Sequence, residues 1–221
     1  TSTARRQTVG SSRSSPSTTT PERRPSRAPA HGSSRSAATI TYGGASTLTA
    51  KLTQSTGGTA VGGAKVALQQ RKKGTTTWAA LSTLTTSSTG VAALAVKPVR
   101  STEYRALYAG TTGRLSRTSA TTAVLVAPRI TSSWSVTSIR LGSASYLRAA
   151  VSPTHAGQAV YVQRYSSGAW RTIATVTLSS TSAISYRYVP KVKGTYSYRV
   201  YKPADSDHVA ATGPVVKLAV G

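Results

Sequence analysis

Four carboxylates serve the whole 221-residue chain: Glu22, Glu103, Asp205 and Asp207. Hydrolysis of a glycosidic bond by paired acids needs two of them facing one bond from a fixed scaffold. Only Asp205 and Asp207 are close in sequence, and with His208 they form an Asp-x-Asp-His group in a stretch rich in turn formers. Such a group can hold a cation weakly, yet calcium asks for more oxygen ligands than this loop supplies. Its ordinary reading is an acidic turn that satisfies its own backbone, so no metal is assigned. The other histidines are His31, in a polar N-terminal stretch, and His155, in a Pro-Thr-His-Ala-Gly turn. A serine nucleophile needs a base within hydrogen-bond reach and a group that orients the base. Serines abound, but no Gly-x-Ser-x-Gly, phosphate-binding glycine loop or zinc-type spacing accompanies them. Cysteine is absent, which removes thiolate chemistry and any disulfide framework. The chain reads as non-catalytic, with no cofactor.

What it does carry is cation. Lys and Arg number 28 against four acids, a formal charge of +24. The excess is spread along the chain: seven Arg and one Glu in residues 1–39, ten basic residues and Glu103 in 40–127, and eleven basic residues and two Asp in 128–221. A chain this basic is drawn to polyanions: acidic cell-surface or wall polymers, nucleic acid, or an anionic membrane surface. No apolar run approaches the ~18 residues a spanning helix requires. Starting at Thr1 without any methionine or signal-like segment, the sequence is expected to be a processed or excised piece.

Two groups of cations stand out as polyanion contacts. One is the triplet Arg71-Lys72-Lys73 in a predicted turn; the other interleaves Arg187, Lys191, Lys193, Arg199 and Lys202 with Tyr186, Tyr188, Tyr196, Tyr198 and Tyr201. Strand alternation puts Tyr186 and Tyr188 on the face of Ile184, with Arg187 opposite, and sets Tyr196, Tyr198 and Val200 against Arg199 and Tyr201. Basic and aromatic groups together suit a single strand or another polyanion. The plainer reading is a solvated positive surface whose long side chains cover apolar area. Trp78 and Trp170 follow equivalent turns and are expected in the core, with a glycan-stacking platform as the functional alternative. Trp134, in register with Ile130 and Val136, points to core or inter-module packing.

The elements that must position these groups are strands. Val66 to Arg71, a turn closing on Gly74 and a return at Trp78 form a predicted hairpin, and Val160 to Arg164, Gly168 and Trp170 repeat it. Around the hairpins, Leu48 to Leu52, Val91 to Val96, Glu103 to Ala109 and Thr121 to Val126 alternate in the first half. Ile130 to Val136, Tyr146 to Val151, Ile184 to Val189, Thr195 to Tyr201 and Val215 to Val220 do so in the second. Gly43, Ser46, Leu48 and Ala50 match Gly142, Ser145, Leu147 and Ala149, while Gln69, Pro98 and Tyr104-Arg105 match Gln163, Pro190 and Tyr198-Arg199. Six or seven short strands per half, with turn signals every 8 to 12 residues, predict two β-sandwiches and almost no helix.

The order Gly-Ala-Lys-Val-Ala-Leu-Gln (63–69), Gly74, Trp78 and Thr-Glu-Tyr-Arg-Ala (102–106) through Tyr-Ala-Gly (108–110) resembles tandem bacterial immunoglobulin-like domains. Those occur in secreted and surface proteins of high-GC Gram-positive bacteria. The resemblance implies an all-β fold of two tandem immunoglobulin-like sandwiches, at 39–127 and 129–221, joined by a short linker at Pro128. Residues 1–38, rich in Ser, Thr, Pro and Arg, are expected to form a disordered basic linker or stalk. The resemblance also implies a buried tyrosine corner at Gly194-Thr195-Tyr196, with Thr102 standing where Tyr196 aligns in the first copy. The function implied is a secreted or cell-surface structural, adhesion or wall-association module that binds acidic polymers by distributed charge. The alternatives are a nucleic-acid-binding protein using the basic tail and strands, and the glycan-binding accessory portion of a larger secreted hydrolase.

Overall fold

In the computed structural model, residues 30–221 are described, with side chains from residue 32 onward. Of the stalk expected over residues 1–38, residues 1–29 lie outside them. Nine strands build each of two sandwiches. In the first module these are β1 (Ala30–Arg35), β2 (Thr39–Thr41), β3 (Ser46–Thr53), β4 (Lys65–Lys72), β5 (Ala79–Thr85), β6 (Val91–Val96), β7 (Thr102–Tyr108), β8 (Arg117–Thr118) and β9 (Thr122–Ala127). The second repeats them as β10 (Arg129–Trp134), β11 (Ser138–Ile139), β12 (Ser145–Ser152), β13 (Ala159–Ser166), β14 (Ala169–Thr177), β15 (Ala183–Tyr188), β16 (Gly194–Lys202), β17 (Ala211–Thr212) and β18 (Val216–Val220). The small sheets run β1-β3-β6 and β10-β12-β15, and the large ones β2-β9-β7-β4-β5 and β11-β18-β16-β13-β14. This is the all-β, tandem immunoglobulin-like architecture expected from the sequence.

Alternation sets what is buried. Leu48, Ala50 and Leu52 of β3 and Leu147, Ala149 and Val151 of β12 point into the sandwich, while Thr47, Lys51, Tyr146 and Arg148 stay outside. In the second module Trp134, Tyr188 and Tyr198 meet between the sheets, with ring centroids 5.0 and 5.4 Å from Tyr198. Trp134 is therefore a core residue. At the hairpin joining β13 to β14, Ser167 (φ 50°) and Gly168 (φ 77°) are both left-handed, the conformation a two-residue turn needs to follow the strand twist. The tyrosine corner also forms: the Tyr196 hydroxyl donates to the backbone carbonyls of Lys193 (2.9 Å) and Val192 (3.2 Å). In the first module, Thr102 reaches upstream in the same way with its shorter side chain, donating to the Arg100 carbonyl at 2.7 Å.

One strand lies where a tail was expected. Ala30–Arg35 pairs antiparallel with β3, Arg35 opposite Leu48, just as Trp134 of β10 lies opposite Leu147 of β12. Its residues offer no apolar alternation, so backbone pairing and polar side chains hold it. After each of these strands the chain crosses to the large sheet, where β2 and β11 run parallel to the last strand of their module. A pair of serines closes the crossing. The Ser46 hydroxyl donates to the Ala37 carbonyl (3.0 Å) and accepts from the Ala37 amide (3.2 Å), while Ser36 accepts from the Thr47 amide (2.8 Å). Ser145 and Ser135 repeat this with Val136 and Tyr146, at 2.8, 3.3 and 3.0 Å.

Ser46 and Ser145 are nearly fully buried, and a buried amide and carbonyl left without a partner cost about 1–3 kcal/mol. Ser46→Ala and Ser145→Ala are each expected to lower stability by that amount in urea unfolding. Ser36→Ala, nearer solvent, should cost less.

Candidate binding surfaces and the module junction

On the outer face of each large sheet, strand pairing stacks an arginine on a tryptophan. Gln69 of β4 lies opposite Arg105 of β7, and Gln163 of β13 opposite Arg199 of β16. In both modules a β-bulge immediately precedes the glutamine, and bulges re-aim the side chains that follow them. The glutamine oxygen accepts from the arginine Nε at 2.7 and 2.8 Å. The guanidinium then lies 4.2 Å above Trp78 in the first module and 4.3 Å above Trp170 in the second. Arg71 adds a second guanidinium over Trp78 at 4.5 Å and pairs with Glu103 at 2.7 Å. Trp78 and Trp170 are thus half-buried on the outer face rather than in the core. The reason is the strand return after the turn, which lays each indole across outward-facing side chains. Each ring is engaged by an arginine guanidinium.

The interleaved Arg/Tyr group does not converge. β15, carrying Arg187, belongs to the small sheet, whereas β16, carrying Arg199, belongs to the large one. Tyr188 and Tyr198 face each other inside, and burial pushes the Tyr198 hydroxyl above the usual tyrosine range. Arg187 and Arg199 consequently point from opposite sides of the sandwich. Lys191 and Lys193, in the turn between the two strands, are exposed, as is Lys73. Lys191 borders a cavity of about 200 Å³ shared with Arg164, Tyr188 and Tyr196. Arg71 and Lys72 line another of about 370 Å³ with Arg100.

Lys202 departs furthest from expectation. It is 1% exposed, its ammonium donating to Asp205 Oδ2 (2.9 Å) and the Pro203 carbonyl (3.0 Å). As the last residue of β16 it continues the inward alternation of Tyr198 and Val200, and only the carboxylate makes burial of its charge tolerable. Asp205 Oδ1 in turn accepts from the amides of Asp207 and His208, both at 2.8 Å. Burial opposes ionisation of Asp205, but Lys202 and those amides outweigh it and hold the carboxyl well below the usual range. The acidic turn does satisfy its own backbone.

It also does more than that, because His155 joins it across 53 residues. His155 Nε2 lies 3.2 Å from His208 Nδ1 and 3.2 Å from Asp205 Oδ2. Ser182 helps to hold His155 in place: its backbone is left-handed (φ 58°), where the first module has Gly90 at the same register, and its hydroxyl accepts the His155 amide. Burial pushes the His155 ring below the usual histidine range, against the opposing bond to the Pro153 carbonyl. The ring nitrogens of His208 meet the Val99 carbonyl, His155 and Asp205. A ring so committed is placed for docking rather than for activating a serine hydroxyl.

This loop is what the second module presents to the first. The His208 ring donates from Nε2 to the Val99 carbonyl (2.9 Å), the Ser101 amide donates to the Asp207 carbonyl (2.7 Å), and the Val209 amide donates to the Val126 carbonyl (2.9 Å). Lys72 pairs with the Asp207 carboxylate. Ser101 is held from the other side as well, its carbonyl accepting from Lys73 and its hydroxyl from the Val126 amide. No sequence signal announced this junction.

No family model matches the sequence, and no curated protein does. Solved structures that overlap it include a 282-residue C-terminal fragment of intimin in complex with the intimin-binding domain of the translocated intimin receptor, at 14% identity and a TM-score of 0.43. Others are a tetra-tandem repeat from the extending region of a large adhesion protein (16%, TM-score 0.40) and the Yersinia pseudotuberculosis adhesin InvE (14%, TM-score 0.37). These matches cover 87, 88 and 85% of this chain, which spans 64, 50 and 58% of theirs. The fold assignment rests on the strand order described above.

Removing one partner of a buried ion pair strands the other, at about 3–5 kcal/mol. Asp205→Ala should therefore lower stability by that amount in urea unfolding. Asp207→Ala, which removes a half-exposed pair, should cost about 1 kcal/mol or less.

Proposed function

We propose that this chain is a non-catalytic tandem module of an exported or cell-surface protein that holds acidic surface polymers by distributed positive charge. One observation carries the reading. The three described carboxylates, Glu103, Asp205 and Asp207, are each committed to a cation within the protein. Arg35, ten basic residues in the first module and eleven in the second thus face only three acids, all spent internally. Lys73, Arg187, Lys191 and Lys193 are exposed contributors. Arg71 and Arg199 contribute through guanidiniums pre-ordered on tryptophan, where donors remain free for a phosphate or carboxylate. Arg71 is partly neutralised by Glu103 and Lys72 by Asp207, and Lys202 is spent on the junction.

Nucleic acid is the weaker reading. Stacking of bases requires aromatics and cations on one surface; Arg199, Trp170 and the stacked Tyr161–Tyr201 pair meet that on the large sheet, but Trp170 already carries the guanidinium and Arg187 lies on the other sheet. An accessory glycan-binding role is weaker for a parallel reason, since Trp78 and Trp170 lie under guanidiniums.

The test is retention on a polyol-phosphate wall polymer, an acidic polysaccharide and single-stranded DNA, as a function of salt. The logarithm of affinity should fall linearly with the logarithm of salt, without preference for DNA at equal charge density. Lys191→Ala with Lys193→Ala should reduce the slope by about one per contacting lysine. Retention that survives molar salt, or strong selection of DNA, contradicts the proposal.

A further inference from the structure

With both histidine rings neutral, the hydrogen bonds at the junction leave lone pairs facing each other, which an added proton or a cation relieves. The Pro153 carbonyl, 2.6 Å from His155 Nδ1, can only accept, so that nitrogen carries the hydrogen. The Val99 carbonyl, 2.9 Å from His208 Nε2, likewise assigns the hydrogen there. In the neutral rings, Nε2 of His155 and Nδ1 of His208 then face each other at 3.2 Å with lone pairs on both. Asp205 lies across the pair, Oδ2 at 3.2 Å from the first nitrogen and Oδ1 at 3.4 Å from the second. Lone pairs from three side chains converge on one buried point.

The nitrogen–nitrogen separation is close to what a tetrahedral ion imposes, and one atom from each of the three residues falls within 4.8 Å of the others, so a small shift of the carboxylate closes the set. Bonds of about 2.0–2.1 Å from zinc to imidazole nitrogen or carboxylate oxygen give ligand–ligand edges of about 3.3–3.4 Å. A ligating histidine ordinarily donates its other N–H to a carbonyl or carboxylate, which orients the ring; both histidines already do so. His155 is 3% and His208 8% exposed, so neither ring is a freely rotating surface group. We infer that His155, Asp205 and His208 form a site for a divalent transition metal of the zinc class, with a water or the second carboxylate oxygen as the fourth ligand. The carbonyl that orients His208 belongs to the first module, so an ion held there ties the two modules together through its own ligand shell. Lys202 competes with the ion for Asp205 Oδ2 and keeps the Pro203 carbonyl as its other acceptor.

The test is titration of the full chain, stripped with a chelator, by Zn²⁺ in a calorimeter and by Co²⁺ in visible absorption. One ion per chain is expected, with the intense d–d bands of tetrahedral Co²⁺. His155→Gln and His208→Gln should each weaken binding by more than about tenfold, since even outer-shell losses cost about 10–100-fold. Asp207→Asn, in the same loop but outside the ligand set, should leave affinity within about twofold. Lys202→Met should tighten binding by removing the competing charge. Should a histidine variant misfold, nitrogen chemical shifts in the wild type decide: Zn²⁺ is expected to move Nε2 of His155 and Nδ1 of His208. No binding, binding indifferent to His155→Gln, loss on Asp207→Asn equal to that on His208→Gln, or unmoved ring nitrogens would each overturn the site.

Discussion

Asp205 is the constraint on which the arrangement of the two modules depends. It neutralises Lys202, which β16 carries into the interior, and its other oxygen gathers two backbone amides into a tight turn. That turn aims the His208 ring and the Asp207 carbonyl and carboxylate at the first module. The junction forms against a Coulomb penalty, because each module carries a large excess of positive charge. Asp207 offsets part of that repulsion by pairing with Lys72, and three hydrogen bonds to backbone atoms of the first module fix the geometry that charge alone would not. A linker of one residue, Pro128, between β9 and β10 leaves little chain to absorb rotation.

Charge that is useful outside must be kept from disrupting the inside. The chain does this with few acids by placing arginines over indoles. A guanidinium is weakly hydrated and keeps its charge when stacked, and its planar edge still offers donors. The glutamine that orients Arg105 and Arg199 stands beside a bulge in both modules, so the ordering device is inherited from the repeated hairpin. The arginine–tryptophan pairs thus serve the outer surface, while Trp134, Tyr188 and Tyr198 fill the core of the second module.

Fold class, duplication and most strands were legible because half-buried strands alternate at period two, and turn glycines punctuate them. β1 was not, since Gly-Ser-Ser-Arg shows no alternation; its strand is held by register with β3. The spacing of Ser36 to Ser46, repeated at Ser135 to Ser145, was the signal that could have found it. The Arg/Tyr group illustrates a different limit. Alternation correctly set Arg187 opposite Tyr186 and Tyr188, and Arg199 with Tyr201 opposite Tyr196 and Tyr198, but which sheet a strand joins is a tertiary fact. Lys202 was read as surface because lysine usually is, and only its partner three residues on reverses that. His155 and His208 belong to separate turns in the sequence, and nothing local brings them together.

The Asp205–His208 loop is what holds the two modules in one fixed arrangement. Residual dipolar couplings of backbone amides in weakly aligned full-length chain measure this directly. Couplings from β3–β9 and from β12–β18 should fit a single alignment tensor, with the inter-module orientation described here. Two tensors of different magnitude, one for each module, would mean that the modules tumble independently and that the junction does not hold.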